Sequence, residues 1–581
     1  FLPSRSATPS WSFLTCGWCL SPSTDGVGIR ARRVLNNGAP PTAGGWAWNS
    51  VVVQGEADRQ RELLDVVSVA GHLLDPGSVF ALLAEHRDRL FPSGLFADLF
   101  PSGRGRPSIP GEVIASVIVL QALYGHSDRE AVDALTFDLR WKAACGYAID
   151  ARGFHPTALT VWRKRLAASE RPQRIFEVVR EVIAETGAVA GRQRRALDST
   201  ILDDAVARQD TVTQLIAQIR RVGREVSGAQ DLVVTECVRL AALTGQDYAT
   251  TGKPRIAWDD PAARDALVTA LVGDALALLA ALDLDAIETA GGKPSDAVAL
   301  LALVAGQDVE PAEDSDGTDG RWRIARKTAP DRVISTVDPD SRHAHKTQHR
   351  RQDGYKAHLV VEPDTGLATA VKATRASGAD NSDARVGATL LREDTTIAEG
   401  DSVEVLADSA YGTGDMLHDL DQAGHEPIIK PWPLRPAVPD GFTLDDFVRD
   451  TDAATITCPA GVTRPMSARN TVSFESACSG CPLRARCTTA KGGRKLVLHE
   501  HDLLQRAHRK RATDERFQAT YRKHRPMVER TIAWLTRGAR RVPYRGVEKN
   551  NNWLHHRIAG LNLRRLLAMG LTFGNSAWAL T

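Results

Sequence analysis

From residue 57 to 187 apolar positions recur at three- and four-residue steps, the spacing of helices that bury one face. Leu63, Val66, Val67 and Ala70 share one such face. Residues 112–123 (EVIASVIVLQAL) are apolar almost throughout and stop near Gly125, which predicts a central helix. Ser127 followed three residues later by Glu130 is a capping box for the next helix. Gly103 to Pro107 (GRGRP) is a basic breaker. Residues 157–168 (TALTVWRKRLAA) form a late helix carrying Arg163, Lys164 and Arg165 beside Trp162. Several short helices with a basic one near the end suit a helix-turn-helix-like DNA-binding unit. A helical bundle with one basic face has the same pattern.

The period then changes. Residues 196–202 (ALDSTIL) read as a short apolar strand with Asp198 in its middle, and strands are poor in Asp unless something requires one. Helical periodicity returns over 211–222, 261–282 and 295–305, followed by an acidic loop at 310–320. A polar stretch rich in His and Arg (338–351, DPDSRHAHKTQHRR) reads as a loop. Strands are predicted at 355–362 and 367–373, joined by the turn residues Pro363-Asp364-Thr365-Gly366. A helix over 382–391 leads to a strand over 403–407 that ends at Asp408. After Gly412 and Gly414 come a helix over 415–422, which Asp415 would cap, and a last strand over 426–430. The predicted order is strand with acid, helical insert, hairpin, helix, strand ending in acid, helix, strand.

The chain has 581 residues, 43% apolar and 25% charged, with a formal net charge of +2. That is the composition of an ordinary globular protein of several domains. The charge is unevenly spread. Residues 500–581 hold 17 Lys+Arg and 6 Asp+Glu, or 17 − 6 = +11, leaving 2 − 11 = −9 for the rest. A basic end on a near-neutral chain points to a polyanion, most simply nucleic acid. The alternative is a solvated basic surface. No run of about 18 apolar residues suggests a membrane span. Residues 1–56, rich in Ser, Pro, Gly and Trp, read as a disordered or non-native leader and a poor signal peptide. Cys16 and Cys19 form a CxxC there without the βαβ pattern of a redox motif. Eight cysteines in a chain of this length do not make a secreted disulfide framework.

Between 431 and 496 the composition shifts to Pro, Thr, Cys and Arg. Cys458, Cys478, Cys481 and Cys487 have the spacing C-x19-C-x2-C-x5-C. Four thiolates with one CxxC suit tetrahedral zinc, although the last gap is longer than in the usual two-knuckle pattern; reduced structural cysteines are the alternative. Residues 521–536 (YRKHRPMVERTIAWLT) then read as one helix, with Met527, Val528, Ile532, Trp534 and Leu535 as its apolar stripe. Arg525 and Glu529 lie four apart on one face, as in any salt-bridged surface helix. Asp198, Asp408 and Glu529 together allow more. Transfer at a phosphodiester needs two divalent cations about 4 Å apart, held by hard oxygen ligands such as carboxylates.

The segments ALDSTILDDAVARQDTVTQLI, DSRHAHKTQHRRQDGYKAHLVVEPDTG, VLADSAYGTGD, CPAG with CSGCPLRARC, and YRKHRPMVER closely resemble bacterial insertion-sequence transposases of the DDE class. The resemblance runs from about Leu63 to Leu571 with the motifs in family order. It implies an α/β fold: an RNase H-like mixed sheet with a helical insertion, preceded by an all-α N-terminal DNA-binding domain. It implies Asp198, Asp408 and Glu529 as catalytic metal ligands for two Mg2+ or Mn2+ ions. The family's late signature places a Tyr and an Arg before the Glu and a basic residue after it. Arg525 stands at the family spacing, Tyr521 one residue beyond the commonest spacing, and the basic position falls at Thr536 or, one later, Arg537. Lys346, Arg350, Arg351 and Lys356 are candidate phosphate contacts, with Arg163, Lys164 and Arg165 in the N-terminal helices. Asp203 and Asp204 either support the site or are solvated.

The domains expected are a leader (1–56), a helical DNA-binding domain (57–190), a first catalytic part (191–430, with the insertion at about 210–335), a Cys-rich insertion (431–500) and catalytic C-terminal helices (501–581). The partners implied are double-stranded DNA, both terminal inverted repeats and target, bound by a homodimer in the cytoplasm at the nucleoid. Two other readings remain: an inactive relic that only binds DNA, and a metal-dependent nuclease without strand transfer.

Overall fold

The computed structural model describes residues 52–56, 64–102, 105–329, 331–345 and 351–581. Its central sheet is built from β1 (Arg194–Asp203), β2 (Arg351–Val361), β3 (Ala368–Arg375), β4 (Glu404–Ala407) and β5 (Glu426–Ile429), in the order β5-β4-β1-β2-β3. β1, β2 and β3 pair antiparallel, whereas β4 runs parallel to β1 and β5 parallel to β4. The hairpin between β2 and β3 closes at the expected turn. The buried Glu362 carboxylate accepts the N–H groups of Asp364 (3.0 Å) and Thr365 (2.7 Å). Gly366 takes φ +76°, which a side chain would strain. Strand, helical insert, hairpin, helix, strand, helix and strand follow in the predicted order.

Alternation along the strands divides the core. Ala196 and Leu202 on β1, Ala357 and Leu359 on β2 and Leu406 on β4 share one cluster, while Leu197, Val360, Val405 and Ala407 face the other way. That second face is covered by α3 (Asp383–Arg392) and α4 (Gly414–Gln422), through Val386, Leu390, Met416 and Leu420. The first is covered from both ends of the chain. From the N-terminal side come α1 (Gly111–Tyr124) and α2 (Thr157–Ala168). From the C-terminal side come α5 (Glu515–His524), α6 (Pro526–Thr536) and α7 (Val547–Ala568). On α6, Val528 and Leu535 are wholly buried, each contributing about 2 kcal/mol by area. On α7, Asn562 accepts the N–H of Ala368 (3.0 Å) and Asn551 that of Ala373 (2.8 Å), so side chains satisfy backbone groups of the outermost strand.

Helix α1 is buried along nearly its whole length and ends at Gly125 (φ +73°), as its sequence suggests. Its partner α7 comes close at Gly560, where an added Cβ would stand 3.1 Å from Leu123 Cβ. The capping box of Ser127 and Glu130 is present. One core cluster extends from Val79 to Trp578 without a break near residue 190. The helices Thr211–Glu225, Pro261–Ala281 and Gly292–Gln307 form a separate core around Leu215, Ile219, Leu271 and Leu301. A third core, around Phe447, Ile456, Val472 and Phe474, belongs to the small strands of the cysteine-rich region. Among the described residues no single helix is long and apolar enough to cross a membrane.

Three elements differ from expectation. Residues 521–536 are not one helix: α5 and α6 meet at Arg525, which keeps helical dihedrals (φ −58°, ψ −35°). Pro526 has no N–H to continue the ladder, so a new helix starts there with Pro in its first turn. Part of the 338–351 loop is a strand, Arg342–His345, pairing with the start of β2. Helix α4 is capped by Thr413, whose side chain accepts Met416 N–H (3.2 Å), and not by Asp415, which lies exposed in the first turn. Cys16, Cys19, Leu63, Gly103, Lys346 and Arg350 lie outside the described residues.

Candidate active site

The β1–β4 ladder pairs Arg194 with Glu404, Arg195 with Val405 and Ala196 with Leu406. Continued by two residues, the same register sets Asp198 opposite Asp408 on neighbouring strands, which lie about 4.8 Å apart. Both acids fall on the face shared with Ala196 and Leu406, the face that α6 covers. Asp408 directly follows β4, and its Oδ1 accepts the Ala410 N–H (2.9 Å), turning the chain out of the sheet. On the opposite face Tyr411 is fully buried, in space that Gly387 leaves: a Cβ there would stand 2.7 Å from the Tyr411 ring.

Asp198 accepts the N–H of Ser199 at Oδ1 (2.8 Å), and its Oδ2 lies 2.9 Å from Arg525 Nη2. Burial pushes its carboxyl above the usual aspartate range. Arg525 and the Ser199 N–H oppose that shift, and the Asp408 charge adds to it. Arg525 is buried, and its Nη1 reaches Glu529 Oε1 at 3.7 Å, whereas the Glu529 side chain is 65% exposed. One guanidinium therefore ties the sheet acid to the helix acid. Tyr521 stands one turn before Arg525, whose N–H it accepts at its carbonyl (3.0 Å). Burial first, then the negative charges of Asp408, Glu529 and Asp198, raise its phenol pKa against the pull of Arg525, so the hydroxyl keeps its proton.

The fold thus brings together Asp198, Asp408, Glu529, Arg525 and Tyr521. Other expected residues go elsewhere. Lys356 lies on the opposite sheet face, 3.4 Å from Asp383 Oδ2. Arg351 begins β2. Arg163 on α2 is ion-paired with Asp128, bonds Gln121 Oε1 (3.2 Å) and lies 5.3 Å from the Tyr544 ring. Arg165 donates to Leu99 O (3.1 Å) and covers Phe100. The basic face expected on that helix is reduced to Lys164, because the planar guanidinia stack and bond inward. Arg537 is exposed at the end of α6. Asp203 accepts Gln352 Nε2 (2.9 Å), and Asp204 is buried against the Ser341 hydroxyl. Sequence reading did not single out Tyr411, which sits inside the ADSAYGTGD motif without any periodicity to mark it.

The donor set fits a hard divalent cation. It is made of carboxylates, Glu529 faces solvent, and a cation would relieve the ionised form of Asp198 that burial and Asp408 disfavour. Among the described residues no three His, Cys, Asp or Glu stand close enough to form a ready-made metal cluster; Arg525 occupies the space between Asp198 and Glu529. The four cysteines Cys458, Cys478, Cys481 and Cys487 are free thiols lining one small recess beside Phe447 and Phe474. Cys478 Sγ accepts the Arg494 N–H (3.4 Å). Burial and the three neighbouring cysteines raise the Cys487 thiol, with Arg494 opposing.

A family model described as Transposase DDE domain matches residues 457–567, and one described as Transposase domain (DUF772) matches residues 68–165. Glu529 lies within the first match; Asp198 and Asp408 lie between the two. No curated protein and no solved structure matches the chain.

Proposed function

We propose that this chain, which belongs to the DDE transposases of insertion sequences, cuts DNA at the ends of its element and joins those ends to a target, at a site formed by Asp198, Asp408 and Glu529. The observation that carries the reading is the β1–β4 register, which continued two residues past Ala196–Leu406 aligns Asp198 with Asp408, with Arg525 linking Asp198 to Glu529. The sheet order β5-β4-β1-β2-β3, three antiparallel strands followed by two parallel ones, supports an RNase H-like catalytic core.

The three carboxylates would hold two Mg2+ or Mn2+ ions, which lower the pKa of an attacking water or 3′-hydroxyl and stabilise the leaving oxygen. The protein's own residues set the geometry. Asp198 and Asp408 are fixed by the sheet, and Glu529 is presented to solvent from the first turn of α6. Arg525 holds Asp198 ionised and oriented. Tyr521 keeps a phenolic proton beside the acids, available to a phosphate oxygen. The basic segment after residue 500 attracts the duplex, and Lys164 on α2 adds a contact from the N-terminal side. Such contacts position DNA without reading its sequence. Inverted-repeat recognition is assigned to the same N-terminal helices and basic surface.

Asp408→Asn tests the assignment. With Mg2+ or Mn2+, strand cleavage should vanish while a gel shift with inverted-repeat DNA persists; undiminished cleavage overturns it. Joining of a labelled 3′ end to a target duplex distinguishes transposition from plain hydrolysis, and wild type that binds yet never cuts is a relic. The cysteine recess is proposed as a structural zinc site: four soft thiols line it and would have to draw together around the ion.

A further inference from the structure

Twelve Lys and Arg lie between Tyr521 and Thr581 against two acids, Glu529 and Glu548, or 12 − 2 = +10. Among the described residues, Arg525 alone of the twelve forms an ion pair. Just upstream, Arg506, Arg509, Arg511 and Arg516 all have carboxylate partners. The uncompensated charge is concentrated. Arg537, Arg557, Arg564 and Arg565 border one recess of about 290 Å³ between α6 and α7, walled by Trp534 and Leu561, and no acidic side chain lines it.

Arg557 is buried and has no carboxylate. It donates to Leu535 O (2.6 Å), Ala122 O (2.6 Å), Leu123 O (3.2 Å) and Arg537 O (2.8 Å), at the C-terminal ends of α1 and α6. Those helix ends carry partial negative charge and hold the guanidinium in place. Burial, with Arg564 adding, brings its pKa down to about 10. Arg537 and Arg564 are exposed and, among the described residues, have no ion-pair partner. Four like charges around one concavity repel; Arg557 and Arg565 are held by backbone carbonyls, and no carboxylate among the described residues balances Arg537 or Arg564.

The position relates this recess to the acids. On α6, Val528 and Leu535 face the sheet. At about 100° per residue, Glu529 projects from one flank and Trp534 from the other. A duplex is broader than one α-helix, which measures about 10–12 Å with its side chains. Laid along α6, it meets both flanks. We propose that the arginine recess seats backbone phosphates of the bound duplex on the far side of α6 from the carboxylates, anchoring the DNA while the other flank presents the bond to be cut. This rests on the transposase reading above and names its second contact.

The test is the salt dependence of binding to a duplex of about 30 base pairs and arbitrary sequence, since phosphate contacts ignore sequence. Each neutralised phosphate contributes about 0.9 to the slope of log K against log salt. Arg537→Ala/Arg564→Ala should lower that slope by roughly 1.8 and weaken binding about 10- to 100-fold near 0.1 M salt. Arg537→Lys/Arg564→Lys should retain most of it, because the slope counts charge. Both variants should melt with wild type, as neither side chain packs in the core. A wild-type slope in the alanine variant overturns the recess and leaves the carboxylate site intact. Wild-type protein that binds no duplex overturns both.

Discussion

Strand β1 carries one acid in its middle, Asp198, and is followed directly by another, Asp204, and the two meet opposite fates. Asp198 and Asp204 are six residues apart, and burial pushes both carboxyls above their ordinary range. Asp204 sits in a closed set. It takes the Ser341 hydroxyl and the Val206 N–H (3.3 Å); nearby Asp338 takes Tyr355 OH (2.5 Å) and the Gly546 N–H (3.1 Å), and Asp353 takes His343 and Arg208. These contacts come from the fold itself and join β1, the end of the helical insertion and the start of α7. Asp198 has one local N–H and one guanidinium, with the half-buried Asp408 adding its charge and the exposed Glu529 reached across Arg525. An acid in a strand therefore has two physical explanations, internal bonding or an external cation, and the partners decide between them.

Asn substitution at the two positions should separate them. Asp198→Asn should reduce strand cleavage by at least about 10³-fold with DNA binding retained, since a cation ligand is worth several kcal/mol in the transition state. A loss below tenfold breaks the contrast. Arg525→Ala should cost roughly 10²-fold through misplacement of Asp198, with Arg525→Lys recovering part. The same variant sharpens the electrostatic side. In metal-free protein the Asp198 carboxyl, followed by NMR, should titrate above the ordinary aspartate range, because burial raises its pKa. Removing the opposing Arg525 charge should move that titration to still higher pH; a downward shift contradicts the assignment.

Cys481→Ser should lower the zinc content from about one per chain to near none, as read by metal analysis of purified protein, and lower the melting temperature without a primary effect on the chemistry. The smallest effect is just past the end of β1. Asp204→Asn should cost about 1 kcal/mol of stability, the value of one hydrogen bond, and leave cleavage by folded protein unchanged. Its pH signature has a definite sign. The folded carboxyl keeps its proton to higher pH than the unfolded one, so its contribution to stability grows as pH falls through the folded pKa and is complete below the unfolded value. In Asp204→Asn melts that rise should be missing.

Much of this was legible in the chain. Asp198 was conspicuous as an acid within an apolar strand, Asp408 as a strand end before two glycines, and Glu529 by its place after Arg525. The hairpin turn at Gly366 and the stop of α1 at Gly125 follow from local chemistry. What was not legible depends on tertiary pairing. The match of Asp198 with Asp408 is set by a ladder between strands about 200 residues apart, which no periodicity encodes. Arg163 and Arg165 look like a DNA-facing pair until Asp128, Phe100 and Tyr544 take them. Arg557 reads as one more polar position on a long helix, yet it fastens two other helices by their carbonyls.

Hydrogen bonds between β1 and β4 fix their alignment, and the chain joining them merely has to leave and return. A six-helix module with its own core fits inside that connection, and a cysteine-rich one fits between β5 and α5. Closing a longer excursion adds only about 0.6 kcal/mol per doubling. Such modules can be lengthened, trimmed or exchanged while the spacing of the two aspartates holds, leaving the hardware for finding DNA free to diversify around an unchanged cutting edge.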